Sequence, residues 1–121
     1  MQEGNGARSF EDLRIWKESR LLVNEIYDAM RGIKDYSFKD QIQRAAISVM
    51  NNISEGFERR TPIEFARFLD IAKGSSGETR SMLYLAEDRR YIAANKCVDL
   101  RSRYQVLSSG ISALTRTLKS K

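Results

Sequence analysis

From Phe38 to Phe57 an apolar side chain recurs every three or four residues: Phe38, Ile42, Ala45, Ala46, Val49, Ile53 and Phe57. That period belongs to one face of an α-helix and to no strand. A second stripe runs beside it, made of Gln41, Arg44, Ser48, Asn52 and Glu55. A solvated stripe favours Lys and Glu, whereas Ser and Asn are poor in a helix interior unless tertiary contacts hold them. The helix is therefore expected to pack on more than one side. Its polar stripe then forms a buried hydrogen-bonded network, joined by Glu78 of a neighbouring helix reaching Arg44. The competing reading, a polar active site, requires an open pocket beside Arg44 and Glu55.

The flanking segments repeat the period. Ile15, Leu22, Ile26, Ala29 and Ile33, widened by Trp16, Val23, Tyr27 and Met30, predict a first helix over residues 10–33 with Gly32 near its end. Ser37 followed by Asp40 predicts the cap of the second helix over 38–57, which Gly56 loosens and ends. In Thr61-Pro62-Ile63-Glu64, Thr61 caps a third helix, Pro62 takes the first position, where it loses no hydrogen bond, and Glu64 closes the box. Its seam is Phe65, Leu69, Ala72, Ser76, Thr79, Leu83 and Ala86. Gly74 and Gly77 lie mid-helix, where each costs on the order of 1 kcal/mol relative to alanine. Close approach of a neighbouring helix is the expected compensation. Asn95 predicts the cap of a fourth helix over 96–119, with the seam Leu100, Tyr104, Leu107, Ile111, Leu114 and Leu118.

The links are short, so successive helices run antiparallel. The expected fold is all-α, an antiparallel up-down-up-down four-helix bundle over residues 10–121. Residues 1–9, with two glycines and no apolar cluster, are expected to form a mobile tail.

Composition narrows the chemistry. There is no histidine, which removes most catalytic triads, most zinc sites and the Glu-x-x-His sites of di-iron bundles. No enzyme, cofactor, metal or small-molecule substrate is expected. The single cysteine, Cys97, cannot form an internal disulfide, in agreement with a reducing compartment. Lys96 beside it could lower its pKa, but the plainer reading is a small packed side chain. Gly74-Ser75-Ser76-Gly77 superficially looks like a phosphate-cradling loop, yet it lacks the Gly-Lys-Ser/Thr ending and lies inside a helical repeat. No window approaches the roughly 18 apolar residues of a membrane span, and no signal-peptide apolar region opens the chain. The expected location is cytoplasmic.

The net charge is +5 and unevenly placed. Residues 95–121 carry six basic side chains against Asp99 alone, so the whole excess sits on this last segment. Such an excess suits a polyanion. Candidate RNA or DNA contacts are Arg59 and Arg60, beside the N-terminus of the third helix, with Arg101, Arg103, Arg116 and Lys119. The outer face of the fourth helix carries Gln105, Ser108, Ser109 and Ser112, small and uncharged where Lys and Glu are usual. It is expected to contact another subunit. The alternative function is a protein–protein scaffold in which the charge is incidental.

The segment Gln41-Ile42-x-Arg44-Ala45-Ala46-x-Ser48-Val49-x-x-Asn52-Ile53-Ser54-Glu55-Gly56 resembles the signature of a bacterial four-helix-bundle family. That family is named for proteins encoded in intervening sequences of large-subunit ribosomal RNA genes. A second block agrees: Glu64-Phe65, Phe68-Leu69, Ile71-Ala72-x-Gly74-Ser75 and Glu78. Tyr91-Ile92 stands where the family carries Gly-Tyr-Ile, with Arg90 in place of the glycine. The resemblance spans residues 10–119 and implies a left-handed bundle assembling into a homopentamer. The family is in turn similar to the accessory protein of diversity-generating retroelements, a basic pentamer that binds nucleic acid and a reverse transcriptase. The family has no settled activity.

Overall fold

A computed structural model describes residues 6–121. Four helices follow in order: α1 (Arg14–Ala29), α2 (Tyr36–Phe57), α3 (Pro62–Asp88) and α4 (Ala94–Lys119). They form the antiparallel up-down-up-down four-helix bundle. α3 packs along α2 on one side and α4 on the other, while α1 closes the bundle against α2 and, over a shorter length, α4.

The apolar seams read from spacing are the core, apart from Tyr27, which was expected to widen the face of the first helix and is exposed. Ile42, Ala46, Val49 and Ile53 of α2, Leu69, Ala72 and Leu83 of α3, and Leu100, Tyr104 and Ile111 of α4 are fully buried. Where α3 meets α4 the contact is polar and close. Ser76 Oγ lies 2.7 Å from Ser108 Oγ and also donates to the Tyr104 carbonyl at 3.2 Å. Small hydroxyls let the two helices approach, and pairing offsets their desolvation.

The termini of the helices moved from their expected places. The first helix is not continuous from residue 10: Phe10–Asp12 form a 3-10 turn, Leu13 is extended, and α1 starts at Arg14. The break lets Leu13 bury fully and sets Phe10 edge-on to Trp16, with ring centroids 5.0 Å apart. Residues 1–5 of the expected tail lie outside the described residues. Within its remainder, the Arg8 and Ser9 backbone N–H groups donate to the Asp12 carboxylate. Asp35, not Ser37, caps α2 by accepting from the Phe38 N–H at 3.2 Å. The Tyr91 hydroxyl donates to the same carboxylate at 2.7 Å. Thr61 caps α3 as expected. Asn95 does not cap α4: Ala93 holds that position, and Asn95 Oδ1 accepts from the Lys96 N–H inside the first turn.

Three glycines separate into two kinds. Gly56 does not loosen α2. A Cβ there would stand 2.7 Å from Phe68 Cβ and 2.8 Å from Phe65 Cδ1, so only glycine admits this contact with α3. Gly74 and Gly77, for which helix approach was expected, have nothing within 4 Å of a Cβ. Their surfaces are open because no other element of the protomer crosses them.

The α2 polar stripe is likewise only partly enclosed. Ser48 Oγ meets Ser75 Oγ at 2.8 Å, and Asn52 donates to both the Ser48 hydroxyl and its carbonyl. Gln41, Arg44, Glu55 and Glu78 are exposed. Arg44 pairs with Asp40 at 2.7 Å rather than with Glu78, because the carboxylate one turn back on its own helix is within reach. Arg44 and Glu55 stand about three helical turns apart, ~16 Å along α2.

Two substitutions check these backbone readings by thermal or denaturant unfolding. Gly56→Ala should destabilise by about 1 to 2 kcal/mol, overpacking against α3 outweighing the gain in helix propensity. Arg90 closes α3 at φ 57°, with the Tyr91 N–H donating to the Ala86 carbonyl and the Arg90 N–H to that of Glu87. Side chains are strained in this left-handed position of a helix stop. Arg90→Gly should therefore stabilise by about 1 kcal/mol.

Candidate nucleic-acid interface

The α3–α4 contact leaves a groove on its outer side. The Ser76–Ser108 bond fixes the register, and around it Lys73 and Arg80 of α3 face Gln105, Ser109, Ser112 and Arg116 of α4. The groove has a volume of about 320 Å³ and no carboxylate among its lining residues. Lys73 and Arg80 are seven residues apart, two turns on one helix face, with Gly77 between them. The missing side chain at Gly77 keeps the interval between the two cations open. None of Lys73, Arg80 and Arg116 has an ion-pair partner among the described residues.

The six expected contact residues divide by what holds them. Arg116 lines the groove, and Lys119 follows one turn further along α4, exposed. Arg101 is engaged inside the protomer: it pairs with Glu87 at 2.8 Å and lies under the Tyr84 ring, 4.0 Å from its centroid. Arg103 is engaged more fully, reaching Glu25 at 2.6 Å, Glu18 at 3.3 Å and Asp99 at 3.5 Å. Lys96 adds a second bond to Glu25. This network ties α1 to α4 and consumes the cations that spacing alone left looking free. Arg59 and Arg60 are exposed at the α2–α3 joint, with Arg59 over the Phe68 ring at 4.6 Å. Glu55 and Glu58 line the same shallow depression as Arg59, so the field there is mixed.

One expectation needs correction. Ser108 does not belong to an outer face, since it is buried against Ser76. Cys97 is fully buried, the small packed side chain expected of it, and burial pushes its thiol pKa up. Sequence reasoning missed Lys73 and Arg80 because residues 61–94 are neutral overall. The available signal was local: two cations seven apart with a glycine between them, on the flank of the seam.

Among the described residues no helix is long and apolar enough to cross a membrane, and no group of His, Cys, Asp and Glu is placed to hold a metal ion.

Comparison with known proteins agrees with this architecture. The pattern of a family described as 23S rRNA-intervening sequence protein matches residues 11–113. A solved structure of a protein of unknown function from the S23 ribosomal protein family of Bacteroides thetaiotaomicron superposes with a TM-score of 0.77. The two are 18% identical, over 84% of this chain and 95% of that one. At that identity the likeness is one of fold. No curated protein matches.

The α1–α4 network has a pH signature. The Lys96 hydrogen bond holds the Glu25 carboxyl below its ordinary 4.5, Arg103 adds to it, and partial burial opposes both. A lowered folded-state pKa contributes stability that is present above the unfolded value and is lost as pH falls through the folded one. Glu25→Gln should therefore melt lower than the parent at neutral pH. The gap should narrow below pH 4.5 and close once Glu25 is protonated in the folded chain, as followed by circular dichroism.

Proposed function

The chain belongs to the 23S rRNA-intervening sequence protein family, and from that premise we propose that it is a non-catalytic homopentamer binding RNA or DNA through backbone phosphates. The observation carrying this reading is the α3–α4 groove, where three cations without ion-pair partners among the described residues line a wall of hydroxyl and amide groups and no described carboxylate intrudes. Phosphate recognition needs cations and hydrogen-bond donors together, and it is largely indifferent to sequence. Symmetry would repeat the groove around the particle, and a net charge of +5 on each copy would add to the long-range attraction.

The pentamer is what the family resemblance implies. The surface best suited to it is the α2–α3 stripe, where Arg44, Glu55 and Glu78 are exposed, Ile71 is half-exposed and Gly74 has open space above it. Gln105, Ser109 and Ser112 would then meet phosphates instead of a neighbouring subunit. The scaffold reading draws on a different feature, an apolar cleft between α1 and α4 lined by Ile15, Leu107, Gly110 and the largely exposed Val106.

Fluorescence-anisotropy titration with mixed-sequence RNA and DNA at several salt concentrations tests the proposal. Log affinity should fall steeply with log salt, and neutralising Lys73, Arg80 or Arg116 to Gln should each shallow the slope by about 1. Arg103→Gln should leave the slope unchanged. By light scattering, Ser109→Arg should keep the particle mass and Gly74→Arg should lower it. Absence of binding at low salt, from folded and assembled protein, would sink the proposal in favour of a scaffold. A partner retained through nuclease and high salt would point the same way.

A further inference from the structure

One helical turn beyond the groove, α3 and α4 carry Tyr84 and Arg101, four residues on from Arg80 and four back from Gln105. Tyr84 continues the face of Lys73, Gly77 and Arg80. The residue is 59% exposed, an aromatic that the core does not use. The Arg101 guanidinium lies 4.0 Å from the ring centroid, is itself only 16% exposed, and is anchored by Glu87 at 2.8 Å. The Glu87 hydrogen bond holds Arg101 protonated above its ordinary range. One face of the ring is thus pinned on a fixed cation, and the exposure of the ring leaves its other face to solvent.

Resting on the nucleic-acid reading above, we infer that this surface takes a single strand, with a phosphate in the Lys73–Arg80–Arg116 groove and the adjoining unpaired base stacked on the outer face of Tyr84. Arg80 and Tyr84 are about 6 Å apart along the helix, so one strand can reach both. In a duplex the base faces are covered by neighbouring base pairs, and an aromatic beside the backbone has nothing to stack on. A single strand offers phosphate and base face together, which is what cation groove and aromatic platform require. Gly77 fits the same account. Its bare backbone, costly in a helix interior, leaves the phosphate room between the two α3 cations.

The test compares three labelled probes at one low salt concentration: a short mixed-sequence strand, its perfect duplex, and the same strand carrying abasic sites. The full chain is used, with Tyr84→Leu, Tyr84→Phe and Arg80→Gln beside the parent, and folding confirmed by melting curves. Tyr84→Leu should weaken binding of the intact strand about 5- to 150-fold, the worth of one base stack. It should leave the duplex and the abasic strand unaffected, and Tyr84→Phe should bind like the parent. If Tyr84→Leu binds the intact strand as the parent does while Arg80→Gln weakens strand and duplex alike, the stacking inference is overturned and phosphate binding stands. If polyglutamate displaces the strand at equal charge whatever occupies position 84, the site is one for acidic chains, and the inference is likewise overturned. If no probe binds, the nucleic-acid reading itself fails, and this inference with it.

Discussion

The bundle depends on how closely α2 and α3 meet at their joint. At Gly56 the backbone of α2 lies against the Phe65 and Phe68 side chains with no room for a methyl group. Phe57 packs edge-on to Phe65 at 5.9 Å in the same place. With that end fixed, the two helices run together far enough for Ser48 to meet Ser75. α3 then presents its opposite flank to α4, where Ser76 and Ser108 set the register. The outer groove is a consequence of this chain of contacts: shift α3 by one turn and Lys73 and Arg80 no longer line one groove with Gln105, Ser112 and Arg116.

The protein divides its positive charge between two jobs. Along the α1–α4 boundary, Arg103 and Lys96 are bound to Glu18, Glu25 and Asp99 in a partly buried network. Networks of this kind are worth more than isolated surface pairs, because Glu25 and Asp99 are each held by both cations. They also cancel the field they contain. In the α3–α4 groove, by contrast, Lys73, Arg80 and Arg116 have no ion-pair partner among the described residues, so their field is not cancelled there. Net charge by segment pointed to the last segment alone; the opposing wall of the groove comes from α3, in a segment, residues 61–94, that is neutral overall.

Glycine serves opposite ends within one structure. At Gly56 the missing side chain admits another helix, while at Gly77 it keeps a surface interval empty. Both positions sacrifice helix propensity. At Arg90 the reverse has happened: a left-handed helix stop that suits glycine carries a charged side chain, held there by the two backbone hydrogen bonds that end α3.

The seams of all four helices, the Thr61 cap and the short antiparallel links were legible in the sequence, because a helix repeats its faces at a fixed period and burial selects apolar residues on one of them. The direction in which a polar stripe faces is not periodic information. Ser108 and Ser109 are neighbours in sequence, yet only the packing of α3 against α4 buries one and leaves the other on the groove. Pairing of charges across long separations was equally invisible, since Glu25 and Arg103 come together only once α1 closes on α4. Asp35 displaced Ser37 as a cap because Tyr91, distant in the chain, supplies its second hydrogen bond. Sequence alone determined which faces are buried. Tertiary structure decided which polar groups satisfy one another, and so which cations remain available to a ligand.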